Sequence, residues 1–103
     1  MKPEIHYQDE IDDKLFKEEL EICRDYISKK RITEFTKGRL AGRKALKALG
    51  ILNFSILKAE SDAAIWPNGI YGSISHSQDK AIAVATKDYD LIGVDLELSL
   101  IHI

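Results

Sequence analysis

The sequence has few of the features that mark several common classes of protein. It holds one cysteine in 103 residues, so no disulfide can form within the chain, and a reducing cytoplasm is the expected setting. Its 15 basic and 17 acidic residues leave no basic excess, which argues against binding to nucleic acid or a membrane surface. No apolar run approaches the length of a membrane span, and the opening MKPEIHYQDE lacks the apolar core of a signal peptide.

The hydrophobic pattern of the chain changes near Gly50. Before Gly50, apolar residues recur at helical steps over 15–27 and again over about 32–49, where Gly50 is the expected C-terminal stop. After Gly50, short β-rich segments alternate with turns. Strands are expected near residues 54–59, 71–76, 81–86 and 91–97. Helices followed by a meander of strands predict an α+β fold with a small antiparallel sheet.

Two carboxylates lie close together in the segment LIGVDLE. On a strand, side chains alternate, so Asp95 and Glu97 would share one face about 7 Å apart. Carboxylates at this separation repel each other unless a cation is near, and oxygen ligands of this kind suit Mg²⁺. The pair is therefore a candidate metal site, with a solvated strand face as the alternative.

Two arginines are candidate anion ligands on the second predicted helix, RITEFTKGRLAGRKALKALG. Arg39 interrupts the apolar stripe, and Arg43 follows one turn later, where like charges destabilise a helix by about 0.2–0.5 kcal/mol. A shared anion would reverse that penalty, because guanidinium groups bind phosphate well. In the alternative interpretation, Arg39 lies at the edge of the apolar stripe with its charged group in water, and Arg43 is an ordinary surface residue. Gly42, inside the same helix, indicates a close approach by another element.

Polar and aromatic residues mark the predicted strand YGSISHS and the loop WPNG before it. Ser75 and His76 can donate hydrogen bonds to phosphate oxygens, although a structural histidine is the alternative. Neighbours on a strand point to opposite faces, so the two would not form a catalytic dyad. Trp66 and Pro67 would form either a packed turn or a rigid wall beside a ligand. His6 lies in a polar leader and is expected to be structural.

Together and in this order, FTKGRLAGRKALKALG, WPNGIYGSISHS and IGVDLE resemble one family over roughly residues 31–97. It is the 4'-phosphopantetheinyl transferases of the surfactin/enterobactin type. These enzymes transfer the phosphopantetheine arm of coenzyme A to a serine of an acyl- or peptidyl-carrier protein and release 3',5'-ADP. The resemblance implies that residues 1–97 are the N-terminal half of a fold whose two similar halves enclose the active site.

The resemblance also implies roles for the polar pairs. Asp95 and Glu97 match the two carboxylates that hold Mg²⁺ against the pyrophosphate of coenzyme A. Ser75 and His76 match the pair that contacts the coenzyme A phosphates.

The candidate ligands on the second helix and in the WPNG loop match the family pattern less completely. Arg39 is similar to the helix arginine that binds the nucleotide end of coenzyme A, with Arg43 as a helper. Trp66 and Pro67 match the loop before the Ser-His strand. Family members often have a basic residue and a proline just before this pair, whereas residues 62–64 here are Asp-Ala-Ala, which leaves the adenine-side contacts open.

The chain closes with LSLIHI, residues 98–103. One reading frame of a transposon adapter end used in shotgun sequencing, ctg tct ctt ata cac atc, encodes these six residues. We therefore expect 98–103 to be adapter read-through, with a native strand end as the alternative. The third family motif, Trp/Phe-x-x-Lys-Glu-x-x-x-Lys, supplies a further carboxylate and a candidate base, and the chain lacks it. This chain alone is therefore expected to have little or no transferase activity.

Two other interpretations of the chain remain open. It could be a non-catalytic coenzyme A-binding or interaction module that has kept the half-fold. It could instead be an unstable fragment that self-associates through the apolar face made for the other half.

Overall fold

The computed structural model describes residues 3–87, and these form helices packed on a small antiparallel sheet, which confirms the α+β prediction. The elements in chain order are β1 (Glu4–Gln8), α1 (Lys17–Cys23), α2 (Lys29–Ala48), β2 (Leu57–Lys58), β3 (Ala64–Ile65), β4 (Tyr71–Ser77) and β5 (Lys80–Thr86). The strand predicted at 91–97, the carboxylates Asp95 and Glu97, and the tail 98–103 lie outside the described residues.

Local signals at both ends determine the extent of α2. At its start, the Ser28 hydroxyl accepts a hydrogen bond from the Arg31 amide at 3.3 Å, which satisfies one of the helix's unpaired N–H groups. At its end, Gly50 has a φ of 88°, and the Ile51 amide donates to the Leu46 carbonyl at 2.9 Å. This left-handed cap favours glycine and confirms Gly50 as the stop.

The sheet has the strand order β1-β5-β4, and α2 packs across one of its faces. Alternate alanines of β5 point towards α2, and their small side chains allow the helix to lie close to the strands. The buried cluster between the helix and the sheet consists of Ala41, Ala45, Leu46, Ile56, Ile70, Ala81, Ala83 and Ala85. The central strand is therefore the platform on which α2 rests.

Gly42 lies where α2 meets the segment before β2. A Cβ at this position would lie 2.6 Å from Ile56 Cδ1, closer than side chains pack. The close approach predicted from Gly42 is thus confirmed. The apolar stripe predicted for this helix is also confirmed, since Phe35, Gly42 and Leu46 are buried.

Two predictions for the N-terminal region are wrong. The supposed polar leader contains β1, in which His6 pairs with Ala83 and has its Nε2 3.1 Å from Glu4 Oε1. The first helix ends at Cys23, before Ile27, which is 99% exposed, and Leu20 within the helix is 52% exposed. In β1 a contact distant in sequence overrides the local pattern, because pairing with β5 decides the strand.

The region after α2 is less regular than its sequence indicates. The strand predicted over 54–59 is reduced to β2, which forms a two-stranded antiparallel hairpin with β3. Neither helix among residues 3–87 is long and apolar enough to cross a membrane.

Candidate functional site

A pocket of about 340 Å³ opens between α2, the β2–β3 hairpin and β4. Its wall carries the cations Arg31, Arg39 and Lys58 and the carboxylates of Glu34 and Asp62. The remaining lining residues are Tyr26, Phe35, Ala63, Ala64, Trp66, Gly72, Ser73, Ile74 and His76. Cationic groups beside aromatic surfaces are the combination expected for an anionic ligand that also carries a ring.

Arg39 is held rigidly in the wall of this pocket. Its Nε donates to the Ile56 carbonyl at 2.8 Å, and one terminal nitrogen donates to the Leu57 carbonyl at 3.2 Å. The guanidinium lies 4.3 Å from the centroid of the Phe35 ring. Only 6% of the residue is exposed, so the alternative in which its charge extends into water is wrong. Burial lowers the pKa of Arg39, and the negative charge of Glu19 opposes that effect.

His76 faces α2 from the end of β4. Its Nε2 lies 2.7 Å from the Glu34 carbonyl oxygen, which can only accept, so the hydrogen of this bond belongs to the ring. A Cβ at Gly38 would lie 3.1 Å from the same nitrogen, so the absence of a side chain there gives the ring its place. His76 is exposed and lines the pocket.

Ser75 lies on the opposite face of β4 from His76, because side chains alternate along a strand. It pairs with Ile82 of β5, and its Oγ is buried without a hydrogen-bond partner in the part of the chain that the structure describes. Ser75 is not among the lining residues, so the structure does not bring Ser75 and His76 together at the pocket. Ser73, a residue that the sequence did not single out, contributes to the wall instead.

Arg43 is directed away from the pocket and into an ion pair. Its Nη2 lies 3.2 Å from Glu19 Oε1, and its Nη1 donates to the Lys14 carbonyl at 2.8 Å. The guanidinium also lies 4.0 Å from the centroid of the Phe16 ring. The predicted anion shared by Arg39 and Arg43 is not supported, because a carboxylate of the protein already offsets the charge of Arg43.

Trp66 satisfies both interpretations of the loop before β4. It packs against the main buried cluster and also lines the pocket. A Cβ at Gly72 would lie 2.3 Å from Trp66 Cε2, so only glycine lets the indole lie against the strand. Pro67 is not among the lining residues; its carbonyl accepts from the Ile70 amide at 3.0 Å, which closes the turn predicted there.

Several lining residues were missed by the sequence analysis. The Arg31 guanidinium lies 4.8 Å from the centroid of the Tyr26 ring. Lys58 Nζ lies 2.9 Å from Asp62 Oδ1, and this bond raises the pKa of Lys58 and lowers that of Asp62. The only sequence signal was the departure from the family pattern at 62–64, which is now seen to fall in the pocket wall.

The pocket lies wholly within a segment that matches a known family. The model of the 4'-phosphopantetheinyl transferase N-terminal domain matches residues 21–86. The chain belongs to this family. The match runs from the middle of α1 to the end of β5 and includes every residue that lines the pocket.

Curated relatives agree with the family match. The chain is 35% identical over 69 residues to enterobactin synthase component D of Salmonella typhimurium, covering 67% of this chain and 28% of the relative. It is 41% identical over 70 residues to the 4'-phosphopantetheinyl transferase Npt of Nocardia iowensis, covering 66% and 32%. It is 37% identical over 70 residues to the 4'-phosphopantetheinyl transferase Svp of Streptomyces mobaraensis, covering 66% and 28%. The alignments thus span about a third of the length of these relatives.

Proposed function

We propose that this chain supplies the coenzyme A-binding half of a 4'-phosphopantetheinyl transferase. The whole enzyme would transfer the phosphopantetheine arm of coenzyme A to a serine of an acyl- or peptidyl-carrier protein and release 3',5'-ADP. The observation that carries the proposal is the convergence of Arg39, Trp66 and His76 on one pocket. These residues come from three separate segments of the chain, and each was a ligand candidate on sequence grounds.

The chemistry of the pocket suits the nucleotide end of coenzyme A. Arg31 and Arg39 supply positive charge for phosphate groups, whereas the charge of Lys58 is offset by Asp62. Trp66 and Tyr26 supply apolar ring surface. A guanidinium has five N–H donors, and the bonds of Arg39 to the two carbonyls use two of them. Arg39 can therefore be oriented by the protein and still donate to a phosphate.

We propose that Asp95 and Glu97 hold Mg²⁺ against the coenzyme A pyrophosphate. Their carboxylate oxygens are the donors that Mg²⁺ prefers, and residues 3–87 contain no group of three or more histidine, cysteine or acidic side chains that could compete for it. When bound there, the ion would neutralise charge that develops on the departing 3',5'-ADP. The residues of the pocket would hold the nucleotide end, so that the serine hydroxyl attacks the β-phosphorus in line.

We also propose that the chain is the N-terminal half of a longer gene product and that 98–103 are adapter read-through. Sequencing the source locus past the codon for Glu97, by a method without transposon adapters, tests this. Replacement of LSLIHI by an in-frame Trp/Phe-x-x-Lys-Glu-x-x-x-Lys motif would support the proposal. A genuine LSLIHI followed by a stop codon would contradict it.

Calorimetric titration with coenzyme A, followed by a transfer assay, tests the function itself. The 103-residue chain should bind coenzyme A, and His76→Ala should weaken binding about tenfold through loss of a ring that lines the pocket. Mass spectrometry of an apo carrier protein should show little modification by this chain and full modification by the longer gene product. Binding without transfer by the longer product would favour the non-catalytic coenzyme A-binding module. No binding at all would overturn the assignment of the pocket.

A further inference from the structure

Glu19 is a buried carboxylate that the proposed reaction does not use. It is 1% exposed, which is rare for a glutamate unless it is paired. One oxygen accepts from the Phe16 amide at 3.0 Å and from Arg43 Nη2 at 3.2 Å, and the other accepts from the Ile56 amide at 3.0 Å. The carboxylate therefore connects the start of α1, the middle of α2 and the segment before β2.

Ile56 links this carboxylate to the pocket. Its N–H donates to Glu19, while its carbonyl accepts from Arg39 Nε at 2.8 Å. The next carbonyl, that of Leu57, accepts from the same guanidinium at 3.2 Å. The Ile56 side chain is fully buried, so the peptide groups on either side of it have little freedom to move. The position of the Arg39 guanidinium thus depends on a backbone segment that Glu19 holds.

Charge provides a second connection between the two residues. Burial lowers the pKa of Arg39, and the charge of Glu19 is the largest effect that opposes this shift. Glu19 is not itself among the residues that line the pocket. Glu19 therefore does not contact a ligand in the pocket, and it would act on one only through Ile56 and Arg39.

We propose that Glu19 is a positioning residue, which sets the orientation in which Arg39 meets a phosphate group in the pocket. The ligand named here rests on the proposed function, since the phosphate is that of coenzyme A. The orientation of Arg39 by Glu19 is a property of the protein without ligand and is measurable on its own.

Glu19→Gln in the 103-residue chain tests this proposal, with Glu18→Gln as the matched control. Glu18 is the exposed neighbour on α1, and it accepts from the Ser55 hydroxyl at 2.9 Å, one residue before Ile56. Glutamine at position 19 would place an NH2 donor where the carboxylate now accepts hydrogen bonds from three N–H groups. At least one of these three hydrogen bonds must therefore break. We expect the NMR signal of Arg39 Nε–H to shift and the Kd for coenzyme A to rise about tenfold. Glu18→Gln should leave both unchanged.

A double-variant cycle separates positioning from a general loss of structure. If Glu19 acts through Arg39, combining Glu19→Gln with Arg39→Lys should weaken coenzyme A binding no more than Arg39→Lys alone. A merely structural role would lower the melting temperature and leave the Kd of the folded protein unchanged. Independent losses that multiply in the double variant would overturn the proposal, as would an unshifted Arg39 signal in folded Glu19→Gln.

Two further outcomes are decisive. If Glu19→Gln does not fold, Glu19→Asp keeps the charge and shortens the reach by one methylene. An Arg39 Nε–H signal at the wild-type position in that folded variant would overturn the proposal, and a shifted one would support it. If the wild-type chain binds no coenzyme A, the proposed function fails, while the Arg39 signal in the Glu19 variants still decides whether Glu19 orients Arg39.

Discussion

The Nε2–H of His76 donates to the Glu34 carbonyl at 2.7 Å, which ties the end of β4 to the second turn of α2 in the wall of the pocket. The contact exists because Gly38, one helical turn after Glu34, has no side chain to displace the ring. The helix and the strand therefore carry two of the predicted ligands, Arg39 and His76, to the same cavity.

Gly72→Ala should displace Trp66 from the pocket wall. The new methyl group would overlap the indole, because a Cβ at Gly72 would lie 2.3 Å from Trp66 Cε2. We expect a loss of about 1–3 kcal/mol in the free energy of unfolding, as for other overpacked sites. Trp66 is the single tryptophan, so its fluorescence reports the displacement directly. Ser73→Ala on the same strand is the control, and equal emission spectra for the two variants would contradict the prediction.

Gly42→Ala should destabilise the protein even though alanine favours helices. The helix propensity gain is up to about 1 kcal/mol, whereas the added methyl would come within 2.6 Å of Ile56 Cδ1 in a filled core. We expect a net loss of about 1 kcal/mol or more, measured by urea unfolding. Lys47→Ala, at an exposed position on the same helix, should change stability by less than about 0.5 kcal/mol. A more stable Gly42→Ala would show that Ile56 moves aside easily.

Arg43→Gln should lower stability by about 3 kcal/mol, because it leaves the buried Glu19 carboxylate without its cation. Lys44→Gln is the control, since Lys44 pairs with Asp12 at the surface and such pairs contribute less than about 1 kcal/mol. Denaturant unfolding of both variants gives the comparison. Similar small losses for both would mean that Glu19 is satisfied by its backbone donors alone.

The Lys58–Asp62 pair at the edge of the pocket should make stability pH-dependent at acid pH. The hydrogen bond from Lys58 lowers the pKa of Asp62 below its usual value of 3.8. A carboxyl whose pKa is lower in the folded state contributes its full stabilisation above the unfolded pKa and loses it as the pH falls through the folded one. Carbon-detected NMR titration should therefore show that Asp62 has a pKa below its ordinary value, and Lys58→Gln should return that pKa to the ordinary range. An unchanged Asp62 titration in Lys58→Gln would mean that the pair is not formed in solution.

Short-range patterns were sufficient for much of the fold and for part of the site. The period of the apolar residues predicted α2, and Gly50 predicted its end, because both depend on contacts within a few residues. The residue types of Arg39 and His76 pointed to an anionic ligand and Trp66 to a wall beside a ligand, and the pocket brings these three together.

Other features follow only from the tertiary structure. The strand β1 forms because β5 offers it a partner some 75 residues later, and no local pattern carries that information. Arg43 and Arg39 are the same residue type on the same helix, but Arg43 pairs with the Glu19 carboxylate whereas Arg39 lines the pocket. The sequence by itself determined where α2 lies and ends, and it marked Arg39 and His76 as side chains that could bind phosphate. The packing of α1, α2 and the hairpin decided which of them face the pocket, because a side chain's role depends on the groups that the folded chain places against it.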